Sequence, residues 1–373
     1  MKLKEIIAVL EEFAPPALQE SYDNAGLITG NPEMEITEAM LCLDATEEVI
    51  EEAIQTKCNL VIAHHPIIFS GLKKITGSNY VERVIIRAIK NDIAIYAAHT
   101  NLDNVHYGVN KKICERLQLR NTRILSPLKG KLMKLFTFAP NEHALKVREA
   151  LFAAGAGMIG NYDECSFNSE GYGTFRGNDE TNPFVGAKGI QHREEETKIE
   201  VIFPGWLQSK IVSALKESHP YEEVAYDVIA LSNDWANTGA GMIGELEHPM
   251  VANDFLSFLK EKMNTQTIRY TKFTARPDKS GTHDSRLTTI AVCGGAGSFL
   301  LKDAINAKAD AFVTGDFKYH QFFDAENKIM ICDIGHYESE QFTPGIFAEV
   351  LRRKFPTFAT RFTSINTNPI KYY

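Results

Sequence analysis

Two stretches of this chain, 251 residues apart, run through the same order of residue types. The first is "LCLDATEEVIEEAIQTKCNLVIAHHPIIF" at 41–69 and the second "AVCGGAGSFLLKDAINAKADAFVTGDFKYHQF" at 291–322. Each reads as strand, small-residue turn, helix, strand and polar loop. The shift sets Cys42 on Cys293, Ala53 and Ile54 on Ala304 and Ile305, Lys57 on Lys308, and "LVIA" on "AFVT". His64 and His65 then fall opposite Gly315 and Asp316. The continuations "NDIAIYAAHTNLD" (91–103) and "NKIMICDIGHYESE" (327–340) set His99-x-x-x-Asp103 against His336-x-x-x-Glu340. A repeated β-α-β order predicts an α/β fold, with a duplicated βαβ-type core around a mainly parallel sheet. In such sheets, polar side chains just past the carboxyl ends of strands form the usual site of chemistry.

Between the halves the pattern changes. "KLMKLFTFAP" reads as a strand, "NEHALKVREALFAAG" as a helix capped by Asn141, and "ECSFNSEG" with "YGTFRG" as a hairpin. "KIEVIFP", "WLQSKIVSALKESH" and "EVAYDVIAL" add a strand, a helix and a strand. This βαββαβ order predicts a ferredoxin-like α+β insert over 128–235, interrupting a core made of 1–127 and 236–373. At 373 residues, two domains are expected. The charge run "HREEETK" at 192–198 is expected to be a solvated loop, and His219-Pro220-Tyr221-Glu222-Glu223 a turn. "GAGMIG" occurs at 155–160 and 239–244 and satisfies G-x-G-x-x-G. A dinucleotide site needs a strand before this motif and a helix after it. The first copy follows a helix and the second is expected in a loop, so both read as turns that use glycine's φ freedom.

A net charge of −8 and pI near 5.8, with no Lys/Arg cluster, weigh against nucleic acid as a partner. "MKLKEIIAVLEEF" reads as an amphipathic helix stopped by Pro15 and Pro16, not as a leader, and no apolar run suits a membrane span. The six cysteines are scattered without a C-x-x-C pair, which argues against a disulfide framework or a thiolate zinc site. A cytoplasmic protein with reduced thiols is expected.

Histidine and carboxylate are the ligands of zinc, iron and manganese. The candidates lie at strand ends: His64 and His65, Asp103, and His336 with Glu340. If "GHYESE" opens a helix, the i,i+4 spacing turns His336 and Glu340 to one side. His99 is a candidate ligand or a hydrogen-bonding partner of one, and His320 a candidate proton donor or substrate contact. His106, His143, His192, His248 and His283 carry no assigned role.

The stretches "SYDNAGLITG" (21–30), "AHHP" (63–66), "HTNLD" (99–103), "TGDFKYH" (314–320) and "DIGHYESE" (333–340) together resemble the Nif-three-like family of GTP cyclohydrolase 1 type 2 homologs. Asp316 stands where that family's pattern leads one to expect glutamate, which puts a direct ligand role there in doubt. The insert resembles the PII- or CutA-like domain of longer members. The resemblance implies two divalent ions per chain (zinc, iron or manganese, with zinc expected as purified), bound by His64, His65, Asp103, His336 and Glu340. It also implies a ring-shaped homohexamer. Five ligands suit two metals better than one open site. The expected split is His65 and Asp103 on one ion, His64 and His336 on the other, with Glu340 bridging. The activity this suggests is metal-assisted hydrolysis of a nucleotide-like small molecule, at a purine-type ring C–N bond or a phosphoester. The alternative is a non-catalytic metal scaffold, metal-delivery protein or regulatory interaction protein. The adjacency of His64 and His65 is expected to arise from the chain leaving its extended form before Pro66.

Overall fold

The structure is a computed structural model describing residues 1–272 and 286–373. It is mixed α/β, with several sheets and, among the described residues, 11 α-helices. The chain divides into two compact units, one of residues 1–126 and 237–373, the other of residues 127–236.

In the first unit, one sheet holds β1 (Gly26–Thr29), β2 (Glu38–Asp44), β3 (Leu60–His65), β4 (Ala94–Ala97) and β15 (Ala359–Phe362), in the order β1-β4-β3-β2-β15. β2, β3, β4 and β15 run parallel, and β1 is antiparallel to β4. The other sheet holds β5 (Arg120–Leu128), β10 (Trp235–Val251), β11 (Arg269–Tyr270), β12 (Arg286–Ala296), β13 (Ala311–Gly315) and β14 (Met330–Asp333), in the order β11-β14-β13-β12-β10-β5. There β12, β13 and β14 run parallel, β10 is antiparallel to β12, and β11 is antiparallel to β14. The 251-residue offset extends to strand register. Ala39 faces Leu60 and Leu41 faces Ile62, just as Ile290 faces Ala311 and Val292 faces Val313.

The central strands are apolar on both faces because both faces are covered. Leu60, Val61, Ile62 and Ala63 are all fully buried. The helix α2 (Glu47–Thr56) starts where Thr46 Oγ1 accepts from Val49 N, and it buries Val49, Ile50 and Ala53 against this sheet with α3 (Tyr80–Lys90). It ends at Lys57 with φ 60°, as α9 (Leu301–Asn306) is followed by Lys308 at φ 62°. α11 (Thr343–Lys354) packs on β2, β3 and α1 (Leu3–Phe13), while α5 (Val109–Arg116) and α10 (His336–Glu340) pack on β12. α8 (Ala252–Lys262) follows β10, and α4 (Thr100–Asp103) is a single turn after β4.

In the second unit, β6 (Leu132–Pro140), α6 (Ala144–Ala153), β7 (Phe167–Phe175), β8 (His192–Pro204), α7 (Gln208–Ser218) and β9 (Tyr226–Ala230) form an antiparallel sheet of order β7-β8-β6-β9 with two helices. Its core gathers Leu135, Val147, Leu151, Ile199, Val201, Phe203, Ile211 and Leu215.

Four local expectations are corrected here. "HREEETK" is no loop; it opens the central strand β8. Glu194, Glu196 and Lys198 fall on the face opposite Ile199, Val201 and Phe203, while Arg193 and Glu195, on the same face as those apolar residues, are exposed at the start of the strand, so a strand can carry the run. The residues expected as a hairpin form one strand, β7, whose partner is β8 across a long connection. The second "GAGMIG" lies inside β10, not in a loop. Asn141 does not cap α6, which begins after His143 without a side-chain cap.

β5 and β10 are neighbouring strands, so the chain leaves the first unit and re-enters it at adjacent positions. Replacing 127–236 by a short Gly/Ser turn is expected to leave a protein with one cooperative thermal transition. A variant that fails to fold would show that the first unit depends on the second.

Candidate metal centre

The strand ends deliver the site. β3 carries His64, fully buried, and His65 at its last two positions, and the strand stays extended through His65. The expected departure before Pro66 is therefore absent. Adjacent strand residues face opposite ways, and the two rings are anchored accordingly. His64 Nδ1 donates to Ala98 O at 2.8 Å, beyond β4, and His65 Nδ1 donates to Asp44 Oδ1 at 2.7 Å, on β2. α10 begins at His336, and one helical turn brings Glu340 Oε2 within 3.1 Å of His336 Nε2. Gly315, ending β13, lets this helix start come close: a Cβ there would lie 2.8 Å from both Gly335 C and His336 N.

The five expected residues come together in two groups that meet at Glu340, which is 2% exposed. His64 Nε2 lies 3.6 Å from Asp103 Oδ1 and 3.7 Å from Glu340 Oε1. His65 Nε2 lies 3.0 Å from Glu340 Oε2 and 3.3 Å from His336 Nε2. The pairing expected from sequence is thus exchanged: His64 goes with Asp103, and His65 with His336. The neighbouring strand on each side decides this, because each imidazole turns about its anchored Nδ1.

Four imidazoles are oriented in the same manner. Besides His64 and His65, His99 Nδ1 donates to Asp23 Oδ1 at 2.8 Å, and His336 Nδ1 donates to Asp316 Oδ2 at 2.7 Å. Such partners fix the tautomer and aim Nε2. Asp316, whose ligand role the sequence left in doubt, orients a histidine instead. His99 Nδ1 is committed to Asp23, and a nitrogen of His99 lies within 4.8 Å of nitrogens of His64 and His65. Sequence reasoning misses Asp23 and Asp44. Asp44 carries the usable signal, a carboxylate at a parallel strand's carboxyl end. Asp23 lies in a loop 76 residues from its partner, and its signal is its place in the stretch "SYDNAGLITG" that carries the resemblance.

With every Nδ1 committed as a donor, the Nε2 lone pairs and the Glu340 oxygens converge on one another. Either protons or a metal ion can lie between them. His64 Nε2 and Asp103 Oδ1 are buried without any hydrogen-bond partner, an arrangement that calls for an explanation. These His and Glu groups are therefore ones that could hold a metal. The electrostatics agree. Burial disfavours a charged His65, but Asp44 and Glu340 outweigh it and push the imidazole up to about 10. Burial is likewise overcome at His336, where Asp316 and Glu340 push it up to about 11. Burial and then the Glu340 charge push Asp103 up to about 8. Burial also opposes ionisation of Glu340, yet His336, His64 and His65 hold it well below the usual carboxylate range.

The cluster lines a cavity of about 910 Å³ with Tyr22, Phe69 and Phe299. These aromatics are 62%, 53% and 66% exposed. The lining includes five carboxylates (Glu20, Asp44, Asp103, Asp316, Glu340) and, among the described residues, no lysine or arginine. Asn368, Pro369 and Ile370 also reach it, held by Asn368 Nδ2 donating to Glu338 Oε1. His320 is exposed, sits against Tyr319 and does not line the cavity. His283 lies outside the described residues.

Two outcomes follow. The raised groups hold protons near pH 7 that a metal must displace. Metal added to stripped protein in weak buffer should release protons, and apparent affinity should rise as pH rises. An indicator dye checks both. Asp44→Asn should lower metal affinity by roughly 10–100-fold without touching a ligand, as measured by competition with a chelator.

A family model described as Duf34/NIF3 (NGG1p interacting factor 3) matches residues 1–369. The chain is 37% identical over 373 residues to the "GTP cyclohydrolase 1 type 2 homolog" of Halalkalibacterium halodurans, covering 98% of each chain. The Bacillus subtilis protein of that name is 38% identical over 345 residues, covering 92% of this chain and 90% of its own. Among solved structures, a Bacillus cereus protein related to NIF3 superposes with TM-score 0.85 at 37% identity, covering 100% of this chain and 99% of its own. A Staphylococcus aureus protein gives 0.76 at 28% identity, with the same coverage. The chain belongs to the Duf34/NIF3 family.

Proposed function

We propose that this protein is a metal-dependent hydrolase acting on a nucleotide-like substrate, with two divalent ions held by His64, His65, Asp103, His336 and Glu340. The observation that carries the reading is the common orientation of the imidazoles. Each Nδ1 is tied down, and the Nε2 atoms of three of these rings turn toward the two oxygens of one buried glutamate. His64 and Asp103 would hold one ion and His65 and His336 the other, with Glu340 within reach of both groups. Zinc, iron and manganese all accept this donor set. Ions of this kind supply Lewis acidity and make water a nucleophile at neutral pH.

The chain's own residues do the rest. Asp44, Asp23, Asp316 and the Ala98 carbonyl hold the rings in place. His99, beside the cluster and anchored by Asp23, is the group placed to hold or move a proton at Nε2. Tyr22, Phe69 and Phe299 offer faces on which a planar ring stacks. Among the described residues the lining holds three exposed aromatics and no lysine or arginine, which favours recognition through a planar ring, and with it chemistry at a ring C–N bond. The curated relatives' name, GTP cyclohydrolase 1 type 2 homolog, points the same way.

The wider organisation belongs to this proposal. The matching register and matching left-handed lysines support a duplicated core. The sheet order β7-β8-β6-β9 supports a ferredoxin-like insert of the PII/CutA kind. The assembly proposed is a homohexameric ring.

Glu340→Ala should abolish stable metal occupancy and any hydrolysis, and His65→Ala should lose one ion and any hydrolysis; full retention of metal and activity by both would end the dinuclear reading. Formate release from GTP by metal-loaded protein is the direct assay. Release is expected with at least one of zinc, iron and manganese. Metal uptake with no hydrolysis across a nucleotide and phosphoester panel would instead indicate a scaffold.

A further inference from the structure

The insert unit contains a second cavity, of about 620 Å³, built on the sheet face opposite its core. Residues directly opposite in an antiparallel pair share a face, so Gly171 lies beside Glu196 and leaves a trough without side chains. Phe138, Phe175, Phe184 and Tyr221 wall it, with Phe175 and Phe184 ring centroids 5.8 and 6.3 Å from that of Tyr221.

Glu196 is only 7% exposed. Its Oε1 accepts from Tyr221 Oη at 2.9 Å, while its Oε2 takes no hydrogen bond among the described residues. That free oxygen occupies the space a side chain on Gly173 would need, since a Cβ there would lie 2.3 Å from Oε2. The turn His219–Glu223 organises the wall. Tyr221 N donates to His219 Nδ1 at 3.1 Å, His219 Nε2 donates to Phe138 O at 2.9 Å, and Asn182 N donates to Glu222 Oε1 at 2.8 Å. Burial lowers His219, in keeping with a neutral ring that accepts on one nitrogen and donates on the other. The stretch read from sequence as a plain turn is therefore what aims Tyr221 at Glu196.

We infer that this cavity is a binding site for a small organic ammonium ion with an apolar body, its N–H donating to Glu196 Oε2 between the rings of Phe175, Phe184 and Tyr221. Aromatic faces attract cations, and Glu196 lines the cavity with one carboxylate oxygen open to a charged donor, the stronger kind of hydrogen bond. The charged groups favour the same sign. Glu170, Glu196, Glu222 and Glu223 line the cavity against Arg176 and Lys198, and Lys198 is already paired with Glu200 at 2.6 Å. An anion would meet this carboxylate excess, and a neutral ligand would leave Glu196 uncompensated.

The test uses the full chain and three probes with one body and different heads: phenethylamine, 2-phenylethanol and phenylacetate. Calorimetric titration should show the amine binding about tenfold or more tightly than either of the others. Glu196→Gln should weaken the amine by about tenfold or more. Gly171→Val, which adds bulk where no atom lies within 4 Å of a new Cβ, should block it while leaving the thermal transition in place. The inference is overturned if the amine does not bind, if phenylacetate binds as well, or if a folded Glu196→Gln or Gly171→Val protein binds the amine unchanged.

Discussion

A buried carboxylate surrounded by imidazoles sets the terms for the rest of this molecule. Glu340 is withdrawn from water, and in a low-dielectric interior its charge is tolerable only if compensated. Three histidines from two different sheets meet it. Holding them there requires β2, β3 and β4 side by side in register, a helix that begins immediately after β14, and a glycine at the end of β13 to let that helix approach. The hydrophobic strands and their covering helices make the frame rigid enough to bring unfavourable neighbours together.

Much of this was legible in the sequence because it rests on local periodicity. Apolar runs without alternation marked the parallel strands, and the 251-residue offset marked their order. The metal-binding candidates were visible as His and carboxylate residues at strand ends. Their grouping was not, because it depends on which neighbouring strand anchors each Nδ1, and that is a long-range contact. Asp23 is the clearest instance, a loop aspartate whose role exists only once the chain returns to it at His99.

The misreading at 192–198 has a physical cause. A charge run such as 192–198 looks solvated when judged by composition, yet a strand needs only one apolar face, and the other face here is not covered by helices. The same uncovered face carries the Glu196 cavity. Starting that strand at Lys198 instead of His192 also hid the pairing of Gly171 with Glu196 that makes the cavity possible.

The proposed centre turns on the number of ions the chain takes up. Metal-stripped protein titrated with zinc, and checked by elemental analysis after gel filtration, should take up two equivalents per chain, and His336→Ala only one. One equivalent in the unaltered chain, or two retained by His336→Ala, would contradict it.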